Sequence, residues 1–258
     1  TIVDEMISHG HTSAVHVADL NKIHQAAASV LEDGDLIISL GAGNIHEASK
    51  RLAKDLYTKS KLEEIMHGGA IRLYEPLSKH TTMRIGGPAQ YWVEPDSEEG
   101  FADLVRHCFD EDIPFMVMGR GSNLLVRDGG IPGVVAHLCC GEFLRHEVNG
   151  TEITAGVGVK FKQLSALARN ADIAGFEWME GIPGNLGGGL RMNAGAMGVQ
   201  TFDQIVRVRF CDQDGNIFVK TPEEMDVHYR DVSTLRHNHA LSAVMRGRVG
   251  TKVEIDAV

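Results

Sequence analysis

The first regularity along the chain is an apolar stripe of Leu20, Ile23, Ala27, Val30 and Leu31, which fall on one face of a 3.6-residue repeat and predict a helix. Asp33-Gly34 ends that pattern, and Leu36-Ile37-Ile38-Ser39-Leu40 follows as a short apolar run of the kind a buried strand carries. After Gly41-Ala42-Gly43, a second stripe of Ile45, Ala48, Leu52 and Leu56 predicts another helix. Residues 1–58 therefore read as a small α/β piece. The charged stretch from Lys59 to Glu64, closing near Gly68-Gly69, predicts a linker over residues 59–70.

From Ile71 the texture changes to short strands, glycine turns and occasional helices. Asp96-x-x-Glu99 has the spacing of a capping box, and Phe101, Leu104, Val105 and Cys108 then share one helical face. Phe115 to Met118 is a strand that runs into glycines. Phe161, Leu164, Leu167 and Ala168 mark another short helix. Residues 205–210 and 216–220 flank Asp214-Gly215, a hairpin turn pair, and Ala240 to Val249 reads as a last strand. Strands and helices do not alternate regularly, so the fold class expected is α+β.

Composition narrows the function classes. The formal net charge is -10 over 258 residues with no offsetting basic run, which argues against nucleic acid as a partner. No apolar stretch approaches a membrane-spanning length, and no charged-then-apolar leader opens the chain. A cytoplasmic protein is expected. The four cysteines, Cys108, Cys139, Cys140 and Cys211, form no C-x-x-C pair and are expected to be reduced, mostly buried thiols. His9-x-His11 and His237-x-His239 have no carboxylate or cysteine at ligand spacing, so no metal site is expected.

The 29 glycines change the picture because they cluster. One loop is Gly119-Arg120-Gly121-Ser122-Asn123-Leu124; glycines two apart after a strand let backbone N–H groups converge on an anion such as a phosphate. The second runs Gly181-Ile182-Pro183-Gly184-Asn185-Leu186-Gly187-Gly188-Gly189 and on through Asn193-Ala194-Gly195-Ala196-Met197-Gly198. So little side-chain bulk allows a flat or anionic group close to the backbone. Tight turns alone account for such loops equally well. Neither loop fits a G-x-G-x-x-G or G-K-[ST] pattern.

Three segments in order resemble the UDP-N-acetylenolpyruvoylglucosamine reductases. They are Leu77 to Ala89, with Arg84-Ile85-Gly86-Gly87 at its heart, Gly119 to Val126, and Gly181 to Gly198. The resemblance spans roughly residues 71–249. It implies the two-subdomain FAD-binding fold of the vanillyl-alcohol oxidase type, with subdomains over 71–138 and 139–249 and FAD between them. It also implies that Arg84, Gly119, Arg120, Gly121, Ser122, Asn123, Leu124, Gly181, Ile182, Pro183, Gly184, Gly187, Gly188, Asn193, Gly195 and Gly198 bind the cofactor. His228-Tyr229-Arg230-Asp231 falls where the family carries Y-R-x-S. Arg230 thereby inherits a catalytic role and Tyr229 a place at the substrate; a surface ion pair of Arg230 with Asp231 or Asp226 is the plainer alternative. Ser233 lies one place too late for the family serine and inherits no role.

The implied reaction is NADPH-dependent reduction of UDP-N-acetylglucosamine enolpyruvate to UDP-N-acetylmuramate, an oxidoreductase step of peptidoglycan precursor synthesis. After Arg230 only Ser233, Ser242 and Glu254 remain as candidate serines or glutamates, so the family's substrate-binding domain is expected to be absent. The alternative expectation is a flavin-binding fragment without turnover. Gly34-Asp35-Leu36 through Gly41-Ala42-Gly43-Asn44-Ile45 resembles the closing segment of the UDP-N-acetylmuramate–alanine ligases. That resemblance implies that residues 1–58 are a ligase remnant, as in a ligase–reductase fusion. ATP-dependent ligation is disfavoured because no triphosphate-binding loop is present.

Overall fold

The computed structural model describes residues 2–11, 13–32, 34–41 and 43–256. The chain divides into two compact units, residues 1–60 and 61–258. The first is helical: α1 (Ile2–Ser8), α2 (Ile23–Ala28) and α3 (Ile45–Met66), the last running across the boundary. Asp19 starts the turn before α2 by accepting a hydrogen bond from the Asn21 N–H at 2.9 Å, the usual service of a short acidic side chain to an orphan helix donor.

Two expectations fail here. Leu36 to Leu40 is not a buried strand; Leu36 and Leu40 are 84% and 87% exposed, and no strand forms among the described residues of this unit. A strand needs a neighbour for its N–H and C=O groups, and a lone apolar run supplies none. The stretch Lys59 to Glu64 is not a linker but helix, as far as Met66. Its charges occupy the wet face, where Lys61 and Glu64 pair at 2.8 Å. Leu62 and Met66 on the other face are fully buried against Ile71, Tyr91, Val93 and Leu104.

The second unit carries two main sheets. The first has β1 (Ala70–Pro76), β2 (Pro88–Glu94), β3 (Phe115–Met118) and β4 (Ile131–His137) in the order β1-β2-β4-β3. β1 pairs antiparallel with β2, whereas β2 and β3 both run parallel to β4. Side chains alternate across it: Tyr91, Val93 and Val134 face α4 (Glu98–Asp110), and Trp92 and Val135 face Leu77, Met118 and Val126. Ala89 sides with Trp92 against the alternation because the β2–β4 register slips between Ala89 and Tyr91.

The second sheet is built from β5 (His146–Asn149) and β6 (Glu152–Gly156) together with β10 (Ile205–Cys211), β11 (Ile217–Lys220) and β14 (His239–Arg246), in the order β11-β10-β14-β6-β5. α5 (Phe161–Asn170) and α6 (Leu186–Met192) join its core through Phe161, Leu164, Leu186 and Leu190. Small two-residue pairs complete the unit. β7 (Ile173–Ala174) pairs with β15 (Arg248–Val249), β8 (Gly195–Ala196) with β9 (Val199–Gln200), and β12 (Val227–His228) with β13 (Asp231–Val232). α7 (Lys252–Ile255) is the last element.

The helix expected from Phe101, Leu104, Val105 and Cys108 is α4, and all four are buried. Its cap is Ser97 rather than Asp96: Ser97 Oγ accepts from the Gly100 N–H at 3.2 Å. The Asp214-Gly215 hairpin joins β10 to β11, with Gly215 at φ +78°. The expected last strand breaks at Gly247, where the chain leaves β14 for β15. All four cysteines are free, and Cys139 and Cys140 are only half-buried. Burial pushes the Cys108 and Cys211 thiols up to about 12.

Candidate flavin site

The two glycine loops meet. Ser122 Oγ donates to the Pro183 carbonyl at 2.7 Å, clasping the loop after β3 to the loop before α6. Beside the clasp lies a cleft of ≈ 350 Å³, within the range of small-molecule and cofactor sites. One wall is the strand Phe115 to Met118 ending in Gly119, and the other carries Val157, Asn185, Gly187, Gly188 and Arg191. Leu235, Arg236, Asn238, His239 and Ala240 line the remainder. The apolar surface suits a flat ring system, and the polar groups are few and localised.

Gly121 shows why glycine is needed. Its φ is +61°, and a Cβ there would sit 2.3 Å from the His80 carbonyl oxygen and 2.9 Å from Thr81 Cα. The Thr82 N–H also donates to the Gly121 carbonyl at 3.1 Å, so the segment Leu77 to Ala89 supports this loop from behind. Gly189 has a packing reason instead: a Cβ would meet the Phe161 ring at 2.0 Å. Gly119 and Gly188 line the cleft with no atom within 4 Å of a Cβ position. They keep it open.

Of the expected cofactor residues, Gly119, Gly187 and Gly188 line the cleft itself. Ser122 and Pro183 form the clasp, Gly121 shapes the loop, and Arg120, Asn123 and Gly181 are exposed beside it. Leu124 packs beneath, against the Trp92 cluster. Arg84 is exposed at φ +54° in the turn closed by Thr81 Oγ1 donating to the Ile85 carbonyl at 2.8 Å. Asn193 stands at the C-terminal end of α6. It is buried at φ +40°, and its amide is spent on protein: Nδ2 donates to Gln200 and to the His228 carbonyl, and Oδ1 accepts from the Phe202 N–H. Asn193 thus ties the end of α6 to the β12–β13 hairpin that presents Tyr229 and Arg230. Gly195 and Gly198 belong to the adjacent β8–β9 turn.

Arg230 stands exposed at φ +59°. Its Nη2 donates to the Gly195 carbonyl at 3.4 Å, and its guanidinium lies 5.5 Å from the Tyr229 ring centre. The plainer alternative, an ion pair with a neighbouring aspartate, is not what forms among the described residues. Asp231 is held by Arg236 at 2.6 Å and Arg191 at 3.3 Å, and Asp226 by His228 at 2.8 Å. Those arginines, Arg236 first, hold the Asp231 carboxyl below its ordinary range.

Asn185 is a candidate site residue that the sequence reading passed over within its own motif. It is 7% exposed, lines the cleft, and its Oδ1 has no hydrogen-bond partner among the described residues. It is the residue before α6, yet its side chain caps nothing. A buried acceptor left without a donor costs on the order of 1–3 kcal/mol, and an N–H or O–H of a bound cofactor would remove that cost. The donor set therefore fits FAD: Asn185 for a polar group, the glycine loops for the anionic part, the apolar wall for the ring. Replacing Asn185 with leucine is expected to leave the flavin-free chain as stable or slightly more so, while FAD binding weakens about tenfold, one hydrogen bond's worth. Thermal unfolding of the free chain and a flavin titration read the two effects separately; a parallel loss in both contradicts the assignment.

His239 contributes a pH dependence. Its ring sits edge-on to Phe115 at 5.1 Å and Phe101 at 5.9 Å, and burial pushes its pKa from 6.5 down to about 4. The unfolded chain takes up this proton between those values and the folded chain does not, so stability is full above pH 6.5 and falls with acidification towards pH 4. About 2 kcal/mol is expected to be lost between pH 7 and pH 5. Urea unfolding at the two values measures it, and His239→Leu should flatten the difference; an equal slope in the variant removes His239 from the account.

Comparison with known proteins agrees with this geometry. A family model described as an FAD binding domain matches residues 89–220. The UDP-N-acetylenolpyruvoylglucosamine reductase of Clostridioides difficile is 38% identical over 206 residues, covering 80% of this chain and 67% of that protein. Its counterpart in Nitrosomonas eutropha is 40% identical over 168 residues, covering 64% of this chain and 50% of that one. The chain spans between half and two thirds of the length of these relatives. Among solved structures, MurB from Thermus caldophilus superposes with a TM-score of 0.65 at 29% identity, covering 74% of this chain and 66% of that one. A 4-ethylphenol oxidase from Gulosibacter chungangensis shares the fold alone, with a TM-score of 0.57 at 16% identity, covering 76% of this chain and 43% of that one. With a mixed sheet, a second sheet and a glycine-lined cleft between them, the chain belongs to the UDP-N-acetylenolpyruvoylglucosamine reductase family and carries an FAD-binding domain.

Proposed function

We propose that this chain is the flavin-binding part of an oxidoreductase that uses NADPH to reduce UDP-N-acetylglucosamine enolpyruvate to UDP-N-acetylmuramate in peptidoglycan precursor synthesis. The observation that carries the reading is the cleft between the clasped loops, with the unpartnered Asn185 Oδ1 on its wall. FAD bound there supplies hydride transfer from the nicotinamide to the enolpyruvyl double bond. The protein's own part is to hold, orient and stabilise. Gly119, Gly121 and Ser122 hold the anionic part, and the strand from Phe115 to Met118 excludes water on one side.

Arg230 is the residue for the substrate's carboxylate. A planar guanidinium pairs with a carboxylate through two N–H groups and stabilises negative charge developing next to it. Its left-handed backbone is an uncommon conformation for a non-glycine residue, of the kind that collects at functional sites. Tyr229 stands beside it for the sugar nucleotide. In this reading Arg84 sits at the cofactor, residues 71–138 and 139–249 form the two subdomains, residues 1–58 are a ligase remnant, and the protein acts in the cytoplasm in support of cell-wall synthesis and cell shape.

Tyr229 is 76% exposed, and that openness favours a second reading in which the chain holds flavin without turning over alone. Anaerobic titration with NADPH tests both. Bleaching of bound flavin followed by reoxidation with the enolpyruvyl substrate supports an active oxidoreductase. Bleaching without substrate reoxidation supports the binding module, and no bleaching at all contradicts the assigned reductant.

A further inference from the structure

Away from the cleft, three side chains of different chemistry converge at the ends of two adjacent strands. Glu94 closes β2 and His137 closes β4, whose register places Val93 beside Ala136 immediately before them. Cys139 follows just beyond the end of β4, and its Sγ comes within reach of both, whereas Leu138 between them lines the flavin cleft. We propose that Glu94, His137 and Cys139 form a binding site for one thiophilic divalent cation of the zinc class, sharing no residue with the cleft lining.

Distances carry the proposal. Glu94 Oε1 lies 3.3 Å from His137 Nδ1 and 3.7 Å from Cys139 Sγ. One ligand atom from each of the three residues falls within 4.8 Å of the others. A tetrahedral zinc with ordinary bond lengths sets its oxygen and nitrogen ligands about 3.4 Å apart and its oxygen and sulfur ligands about 3.6 Å apart. These two edges already have those lengths, so an ion enters by small side-chain rotations. One sulfur, one imidazole nitrogen and one carboxylate oxygen select a borderline-soft cation over magnesium or calcium.

The surroundings orient the site. Arg72 Nη2 holds the other carboxylate oxygen at 2.7 Å, and Trp92 Nε1 donates to Oε1 at 3.0 Å, which fixes Glu94 as outer partners of a metal ligand do. His137 is also steadied by the Trp92 ring at 4.9 Å between centroids. All three ligands are half-buried, leaving the fourth position to water. On binding, the Cys139 S–H proton passes to solvent and the thiolate takes the metal.

Cobalt(II) titration of the flavin-loaded chain tests this, because the red d–d bands of tetrahedral cobalt lie outside flavin absorption. The expected result is saturation at one ion per chain, displacement by zinc, and an affinity at least ~10-fold weaker in Cys139→Ser and in His137→Gln. Cys108→Ser, in a different core, should bind as the parent does. A parent chain without tetrahedral bands, or full affinity in both ligand variants, overturns the site. A second measurement needs no variant: zinc should protect Cys139 from alkylation in the parent chain, mapped by peptide mass. Unchanged alkylation in saturating zinc overturns the proposal equally.

Discussion

Replacing Gly121 with alanine is expected to cost the chain most of its affinity for FAD. The left-handed backbone at this position is unfavourable for any L-residue by about 1–2 kcal/mol. The added methyl also meets two groups that cannot swing away, the His80 carbonyl oxygen at 2.3 Å and Thr81 Cα at 2.9 Å. The loop must therefore shift, carrying Ser122 with it and opening the clasp to Pro183 that joins the cleft's two rims. A displacement costing 2–3 kcal/mol corresponds to roughly 30- to 150-fold weaker binding. Flavin fluorescence quenching on titration measures it directly. Binding within twofold of the parent would mean that the loop does not depend on this conformation.

Arg230→Ala is expected to act on turnover and not on flavin content. Arg230 does not line the cleft, and among the described residues its guanidinium donates to the Gly195 carbonyl. Removing a group that stabilises developing negative charge costs on the order of 10²- to 10³-fold in kcat. Arg230→Lys should recover little, since an ammonium lacks the planar pair of donors. Steady-state kinetics of the full-length protein, with the flavin-to-protein ratio measured in parallel, separates the outcomes. Loss of flavin in step with turnover would make Arg230 a structural residue of the β12–β13 hairpin.

Much of the fold was readable because local pattern and tertiary packing agree. Phe101, Leu104, Val105 and Cys108 mark α4 and all are buried, and Asp214-Gly215 marks a hairpin that forms. Where pattern and packing part, the sequence misleads. Leu36 to Leu40 looks like a strand, yet apolar character does not supply a pairing partner. Lys59 to Glu64 looks like a linker because charge dominates it, while Leu62 and Met66 at helical spacing are fully buried. Ser97 and Asp96 are both good caps by residue type, and only the backbone geometry chooses between them.

The site follows the same rule. The glycine loops are continuous in sequence and could be picked out there. Arg236, Asn238 and His239 reach the cleft from a distant segment that carries no motif. Asn185 and Asn193 sit in one motif and do opposite things: the first faces the cleft with a free acceptor, the second has its amide consumed by Gln200, His228 and Phe202. Residue type cannot tell them apart, because the difference lies in which donors and acceptors the fold brings near. Likewise His137-x-Cys139 gains a third ligand only when β2 lies beside β4.

The flavin site is tested most directly by the visible absorption spectrum of the purified chain after incubation with FAD and removal of the unbound cofactor. The expected result is a yellow protein with one FAD per chain, and a markedly lower ratio in Gly121→Ala under the same washing. A folded chain that emerges colourless would contradict it.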